Sequence, residues 1–152
     1  MISDELLAQV KREEWLRLKT YLCPAGRRTI GYGRNLDAMP YFEGNKIPDE
    51  ITEDQAEAIL HRDLNYTATC LAAAWYGFEL LQGARRDACI QMAYQLGLDG
   101  FLGFKKMRAA LAIGHWLEAY NQALESNWAM QTPERAKRVA GQFLTGDYYT
   151  LP

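Results

Sequence analysis

Glu14, Cys23 and Thr29 are the residues of this chain whose types and spacing suit one piece of chemistry. Glu14 falls where the first helical pattern runs out, at the negative end of a helix dipole. That place favours a protonated carboxyl unless a cation answers it, and a carboxylic acid holding its proton is what general acid catalysis requires. Taken alone, it reads equally as a solvated glutamate beside Lys11, Arg12 and Arg17. Cys23 comes just before the turn-forming Pro24-Ala25-Gly26. A thiol there can act as nucleophile, weak base or water-orienting group, or simply pack as a small hydrophobe. Thr29 is an ordinary strand former, but a hairpin turning at 24–26 brings it close to Cys23. The helix leading into that hairpin ends at Glu14, so the three can meet on one wall of a cleft.

The elements that must position them are mostly helical. Ser3 is placed to cap a first helix whose stripe is Leu6, Leu7 and Val10. Lys19 to Cys23 and Arg28 to Gly33 read as the two strands of a hairpin. Residues 35–49, rich in Gly, Pro, Asn and Asp, read as a loop or a second small hairpin. Thr52-Glu53-Asp54-Gln55 is a capping box, and the apolar spacing behind it predicts a long helix to about Trp75. The remainder predicts a helical lobe, with helices over 85–96, 101–113 and 115–128 and another opening at Thr132-Pro133. Trp75, Trp116 and Trp128 are expected in its core, and Arg85-Arg86 at a solvated helix start.

Composition narrows the partners. The chain has 152 residues, enough for one domain or two small lobes sharing a helix. It is 49% hydrophobic and 24% charged, unlike a disordered chain. A net charge of −2 excludes a strong electrostatic grip on nucleic acid or anionic membrane. Residues 1–83 carry a net −4 and residues 84–152 a net +2. Cys23, Cys70 and Cys89 lack paired-ligand spacing and the only histidines are His61 and His115, so neither a disulfide framework nor a metal site is expected. The longest apolar stretch, Leu71 to Phe78, is far too short to span a membrane. The acidic start, Ser3-Asp4-Glu5, is unlike a secretory signal, so a cytoplasmic start is expected. Gly31-Tyr32-Gly33 is too short for a phosphate loop.

Eight residues separate Glu14 from Cys23, and five separate Cys23 from Thr29. With this spacing, the stretch from Lys11 to Gly33 resembles the catalytic segment of the phage-type lysozymes, the endolysins of glycoside hydrolase family 24. Ile51 to Ala56 resembles the start of that family's inter-lobe helix, Ala84 to Gly97 its core helix, and Gln131-Thr132-Pro133-Glu134-Arg135-Ala136 its C-terminal signature. The resemblance runs over residues 5–147 in the family's order.

It implies an α+β lysozyme-like fold: an N-terminal lobe of about 14–55, a joining helix of about 52–75, and a helical lobe of about 76–152 plus 1–13. The implied activity is hydrolysis of peptidoglycan between N-acetylmuramic acid and N-acetylglucosamine, without cofactor or metal, by a monomer. Glu14 would be the acid, Thr29 would hold the attacking water, and Cys23, where many relatives carry Asp, would activate that water, stabilise the transition state or attack. Tyr32, Tyr94 and Gln95 would contact substrate. Arg135 would reach Glu14, Arg138 would pair with Glu13, and Arg34 with Asp63. The resemblance also implies phage-driven host lysis, waiting in the host cytoplasm and release to the periplasm through a holin. The rival readings are a lytic transglycosylase and an inactive peptidoglycan-binding homologue.

Three positions depart from the family's usual residues. Trp15 stands where glycine is usual, so the first helix is expected either to run further or to have its acid covered by the indole; a core tryptophan between lobes is the plain alternative. Arg34 replaces a histidine, so its pairing with Asp63 is expected to lose pH sensitivity near 6–7. Asn127 stands where a basic residue is usual.

Overall fold

The computed structural model describes residues 2–38 and 47–151. Helix α1 (Asp4–Glu13) starts where expected: the Ser3 hydroxyl accepts from the Leu6 amide at 3.0 Å. Leu6 and Val10 are fully buried and fix which face turns inward. The chain leaves α1 at Glu14, whose backbone is extended, and enters an antiparallel sheet of β1 (Arg17–Leu22), β2 (Arg28–Gly31) and β3 (Arg34–Asn35). Tyr21 faces Thr29 across β1–β2, and Ile30 faces Arg34 across β2–β3. The outer edge of β1 is covered by the chain that follows the undescribed residues: the Thr20 amide donates to the Asp49 carbonyl and the Ile51 amide to the Leu18 carbonyl. The expected loop or second hairpin over 35–49 lies largely outside the described residues.

Helix α2 (Glu53–Ala74) carries the sheet to the helical lobe. Both halves of its capping box form, with the Thr52 hydroxyl accepting from the Gln55 amide at 3.1 Å and Gln55 Oε1 accepting from the Thr52 amide at 2.9 Å. Ala56 and Leu60 bury one side with Ile30 of the sheet, and Leu64 and Leu71 continue into the core. A 3-10 turn (Tyr76–Leu80), which no sequence signal marked, leads to α3 (Gly83–Leu96). This helix is flanked by α1, α2 and the last helix of the chain (133–145), and is buried nearly all round, as its run of buried residues from Ala88 to Ala93 shows. Gly97 ends it at φ +81°.

Two expected helices are each divided. The helix read over 101–113 is α4 (Leu98–Leu102) and α5 (Lys105–Ala112), because the chain turns at Gly103-Phe104 and seats the Phe104 ring edge-on against Trp128. The helix read over 115–128 is α6 (Trp116–Leu124) and α7 (Asn127–Gln131). Ser126 makes that break: its hydroxyl donates to the Ala123 carbonyl and accepts from the Ala129 amide, competing with helix continuation. Helix α8 (Pro133–Thr145) has proline in its first turn as expected. The Thr132 hydroxyl, however, donates back to the Trp128 carbonyl instead of capping α8. Arg85 is not a solvated side chain: it donates to the Phe143 carbonyl at 2.9 Å at the end of α8 and stacks 4.0 Å over the Trp116 ring. No helix among the described residues is long and apolar enough to cross a membrane.

The α2 cap supports the connection between sheet and helices. Thr52→Ala is expected to lower unfolding free energy by about 1 kcal/mol in urea denaturation, with the m-value unchanged.

Candidate active site

Glu14 stands where three elements meet. Its own position is set by the end of α1. Across from it, Arg135 of α8 donates from Nη1 to Glu14 Oε1 at 2.9 Å. On the sheet side, a Cβ on Gly33 would lie 3.2 Å from Glu14 Oε2, and Gly33 has φ +78°. Only glycine offers both that backbone and that clearance. The Glu14 side chain is 23% exposed, so one face of the carboxyl remains open while Arg135 is buried beneath it.

Glu13, next in sequence, turns into the protein. Arg138 grips it with two hydrogen bonds, Nε to Oε1 at 2.8 Å and Nη2 to Oε2 at 3.1 Å. Arg135 Nε lies 3.9 Å from Glu13 Oε2, so one arginine serves both glutamates. Tyr149, a residue the sequence reading passed over, places its single hydroxyl proton between two acceptors, Glu13 Oε1 and the Oε1 of buried Gln91, each at 3.2 Å. Its distance of more than a hundred residues from Glu13 hides that contact from any local pattern.

Beside Gly33 opens a cleft of about 620 Å³ between sheet and helices. Arg34, Asp63, Tyr94 and Gln95 are on its walls. Tyr94 donates its hydroxyl to the Tyr32 carbonyl and so ties α3 to the β2–β3 turn. Gln95 accepts from the Trp128 indole at 2.9 Å. Tyr32 itself is only 8% exposed, with its ring in the core and the Lys11 ammonium 5.8 Å from the ring centre. What Tyr32 places at the site is therefore its backbone.

Arg34 and Asp63 pair at 3.1 Å with both side chains buried, and Arg34 also donates to the Ala38 carbonyl. Within this pair burial pushes the Asp63 carboxyl up to about 6 despite the guanidinium. None of the three readings of Trp15 holds. Helix α1 stops at Glu13, and the Trp15 side chain is 84% exposed, neither in the core nor closed over Glu14. The extended backbone of Glu14 needs no glycine after it, and it carries the indole outward into solvent.

Cys23 and Thr29 sit together on the hairpin, Cys23 just past the end of β1 and Thr29 in β2 opposite Tyr21. The turn is closed by the Cys23 amide donating to the Arg27 carbonyl at 2.9 Å. Thr29 is buried, and its hydroxyl donates to that same Arg27 carbonyl at 3.0 Å, which leaves its lone pairs to accept. The Cys23 thiol is held below its ordinary value, chiefly by backbone hydrogen bonding at Arg27, with further help from Ala25 and Thr29. Cys89 is the opposite case, pushed far upward by complete burial. Neither Cys23 nor Thr29 lines the cleft; they stand on the hairpin next to it.

A three-stranded sheet joined by a long helix to a helical lobe, with a buried arginine beneath a glutamate at the seam, defines a lysozyme-like α+β protein. The phage lysozyme family matches residues 11–143, and the chain belongs to that family. The chain is 30% identical, over 91% of its length, to the pre-baseplate central spike protein Gp5 of Enterobacteria phage T4, of which it covers 27%. It is 37% identical, over 66% of its length, to an endolysin of Acyrthosiphon pisum secondary endosymbiont phage 1, of which it covers 62%. It is 28% identical to probable T4-type lysozyme 1 of Dictyostelium discoideum, over 90% of this chain and 92% of that one.

Two measurements check these environments. Asp63 has its folded value raised above the 3.8 of the free side chain, so folding binds a proton between about pH 4 and 6. The stability of wild type relative to Asp63→Asn is expected to fall as pH rises through that window and then level off; a difference that is flat from pH 4 to 7 would contradict the burial. Alkylation of the native protein at pH 8, followed by peptide mapping, is expected to label Cys23 ahead of Cys89, with Cys89 reacting only after unfolding.

Proposed function

We propose that this chain is a muramidase that hydrolyses the β-1,4 bond between N-acetylmuramic acid and N-acetylglucosamine of peptidoglycan. The observation that carries the reading is the Arg135–Glu14 contact at the edge of the cleft, on a chain of the phage lysozyme family. Glu14, partly exposed beside Gly33 at the edge of the cleft and held from below, donates its proton to the glycosidic oxygen. Thr29, whose hydroxyl proton is already given to Arg27, accepts from the attacking water, and Cys23 beside it positions or activates that water or attacks the sugar itself. Tyr94 and Gln95 form the helical wall against which the glycan or its peptide lies, and Tyr32, Arg34 and Asp63 hold the opposite wall. Glu13, Arg138 and Arg135 keep the acid in place, with neither cofactor nor metal. The lobes divide at about 14–55, 52–75 and 76–152 plus 1–13.

The chain covers less than two thirds of the first two relatives, so its biological setting is part of the proposal. The endolysin similarity supports host-cell lysis; in this reading a monomer waits in the host cytoplasm and reaches the periplasm through a holin. The similarity to a central spike protein over 91% of the chain favours a second setting, the same hydrolysis carried by part of a virion.

Digestion of purified peptidoglycan, read by mass spectrometry, tests the chemistry. Wild type is expected to release muropeptides with reducing N-acetylmuramic acid ends, and Glu14→Gln to lower the rate by about 10²–10⁴-fold. Anhydro ends would make the protein a transglycosylase. Binding without products would make it an inactive homologue.

A further inference from the structure

Arg135 is held loosely for a residue on which the acid depends. Nη1 bonds Glu14 at 2.9 Å, but Nε reaches Gln91 Oε1 at 3.3 Å and Glu13 Oε2 only at 3.9 Å. Its Nη2 is buried without a hydrogen-bond partner among the described residues. What keeps the guanidinium in place must therefore be the rigidity of the groups around Nε.

Those groups form a chain of three buried glutamines, each with its orientation dictated by the one before. The Ala84 carbonyl can only accept, so it takes the Gln142 amide at 2.7 Å and turns Gln142 Oε1 the other way. Gln142 Oε1 then accepts from Gln9 Nε2 at 2.8 Å, which presents Gln9 Oε1 to Gln91 Nε2 at 3.4 Å. Gln91 Oε1 is thereby aimed at Arg135 Nε. A reversed Gln91 would set an amide donor against the guanidinium.

The segment after α8 locks this chain. The Tyr149 amide donates to Gln142 Oε1, and its carbonyl accepts from Gln9 Nε2. Its hydroxyl lies 3.2 Å from Gln91 Oε1, the acceptor that faces Arg135, and 3.2 Å from Glu13 Oε1, the oxygen that Arg138 grips on the carboxylate whose other oxygen faces Arg135. Burial holds that phenol up at about 12, so it remains a donor.

We infer that Tyr149, acting through Gln91 and Glu13, is a positioning residue for the reaction: it fixes Arg135 against the acid Glu14 from outside the cleft. This rests on the muramidase reading above. Tyr149→Phe keeps the ring and removes only the hydroxyl. On peptidoglycan it is expected to lower kcat about tenfold with KM unchanged, the pattern of a misplaced catalytic group, not of lost binding. Tyr148→Phe is the matched control: the Tyr148 hydroxyl belongs to the same segment but bonds Asp87 and Ser3. It is expected to leave kcat unchanged at an equal loss of thermal stability. In an Arg135→Gln background, Tyr149→Phe is expected to have no further effect on kcat.

Equal kcat losses for the two tyrosine variants, an additive loss in the double variant, or an unchanged kcat in Tyr149→Phe would each overturn the inference. A wild type that releases no muropeptides would instead overturn the reading on which it rests.

Discussion

Two adjacent glutamates at the end of α1 set the problem that the rest of the molecule solves. Carboxylates are disfavoured at a helix C-terminus, and Glu13 is buried there as well. Arg135 and Arg138, three residues apart on one face of α8, supply the compensating charge. For them to arrive, the last long helix must dock beside the first. Removing Arg138 would strip the buried Glu13 carboxylate of both its close hydrogen bonds, and removing Arg135 would strip the part-exposed Glu14 of its ion pair. The closure of the chain on itself and the placing of Glu14 are thus one interaction.

The seam between sheet and helices is held by polar contacts that reach across it. Tyr94 on α3 bonds the Tyr32 carbonyl, and Asp63 on α2 bonds Arg34 of β3. Neither is a surface ion pair of small consequence. The Arg34–Asp63 pair is buried, and its carboxyl is raised to about 6 by lost solvation, so the stability of the seam responds to mild acid. Gly33 lies between these ties with no side chain, which leaves room for Glu14 at the mouth of the cleft. The apolar core, from Leu6 and Val10 through Ile90 to Phe143, lies behind the seam and makes these few polar positions rigid.

Trp15, directly after Glu14, has a simple structural setting. Helix α1 ends through the extended backbone of Glu14, which any residue can adopt. Trp15 follows it outward and remains exposed, so the acid is bounded by Arg135 and Gly33, not by the indole.

Much was legible in the sequence because it is written locally. Ser3 and the Thr52–Gln55 box act within four residues, the Pro-Ala-Gly turn sets the hairpin, and the spacing of Glu14, Cys23 and Thr29 needs only a helix followed by that hairpin. The pairings of Arg135, Arg138 and Arg34 were legible only through resemblance to a family, since nothing in their spacing names a partner 29 residues away for Arg34 or more than a hundred away for the other two. The breaks at Gly103 and Ser126 were missed because a helical apolar rhythm continues across both, and a ring against Trp128 and a serine's competing bonds decided otherwise. The exposure of Trp15, the titration of Asp63 and the glutamine chain with Tyr149 were decided by tertiary structure alone. Residue type fixes which groups can donate, accept or ionise; burial and the neighbour across the fold decide which of them do.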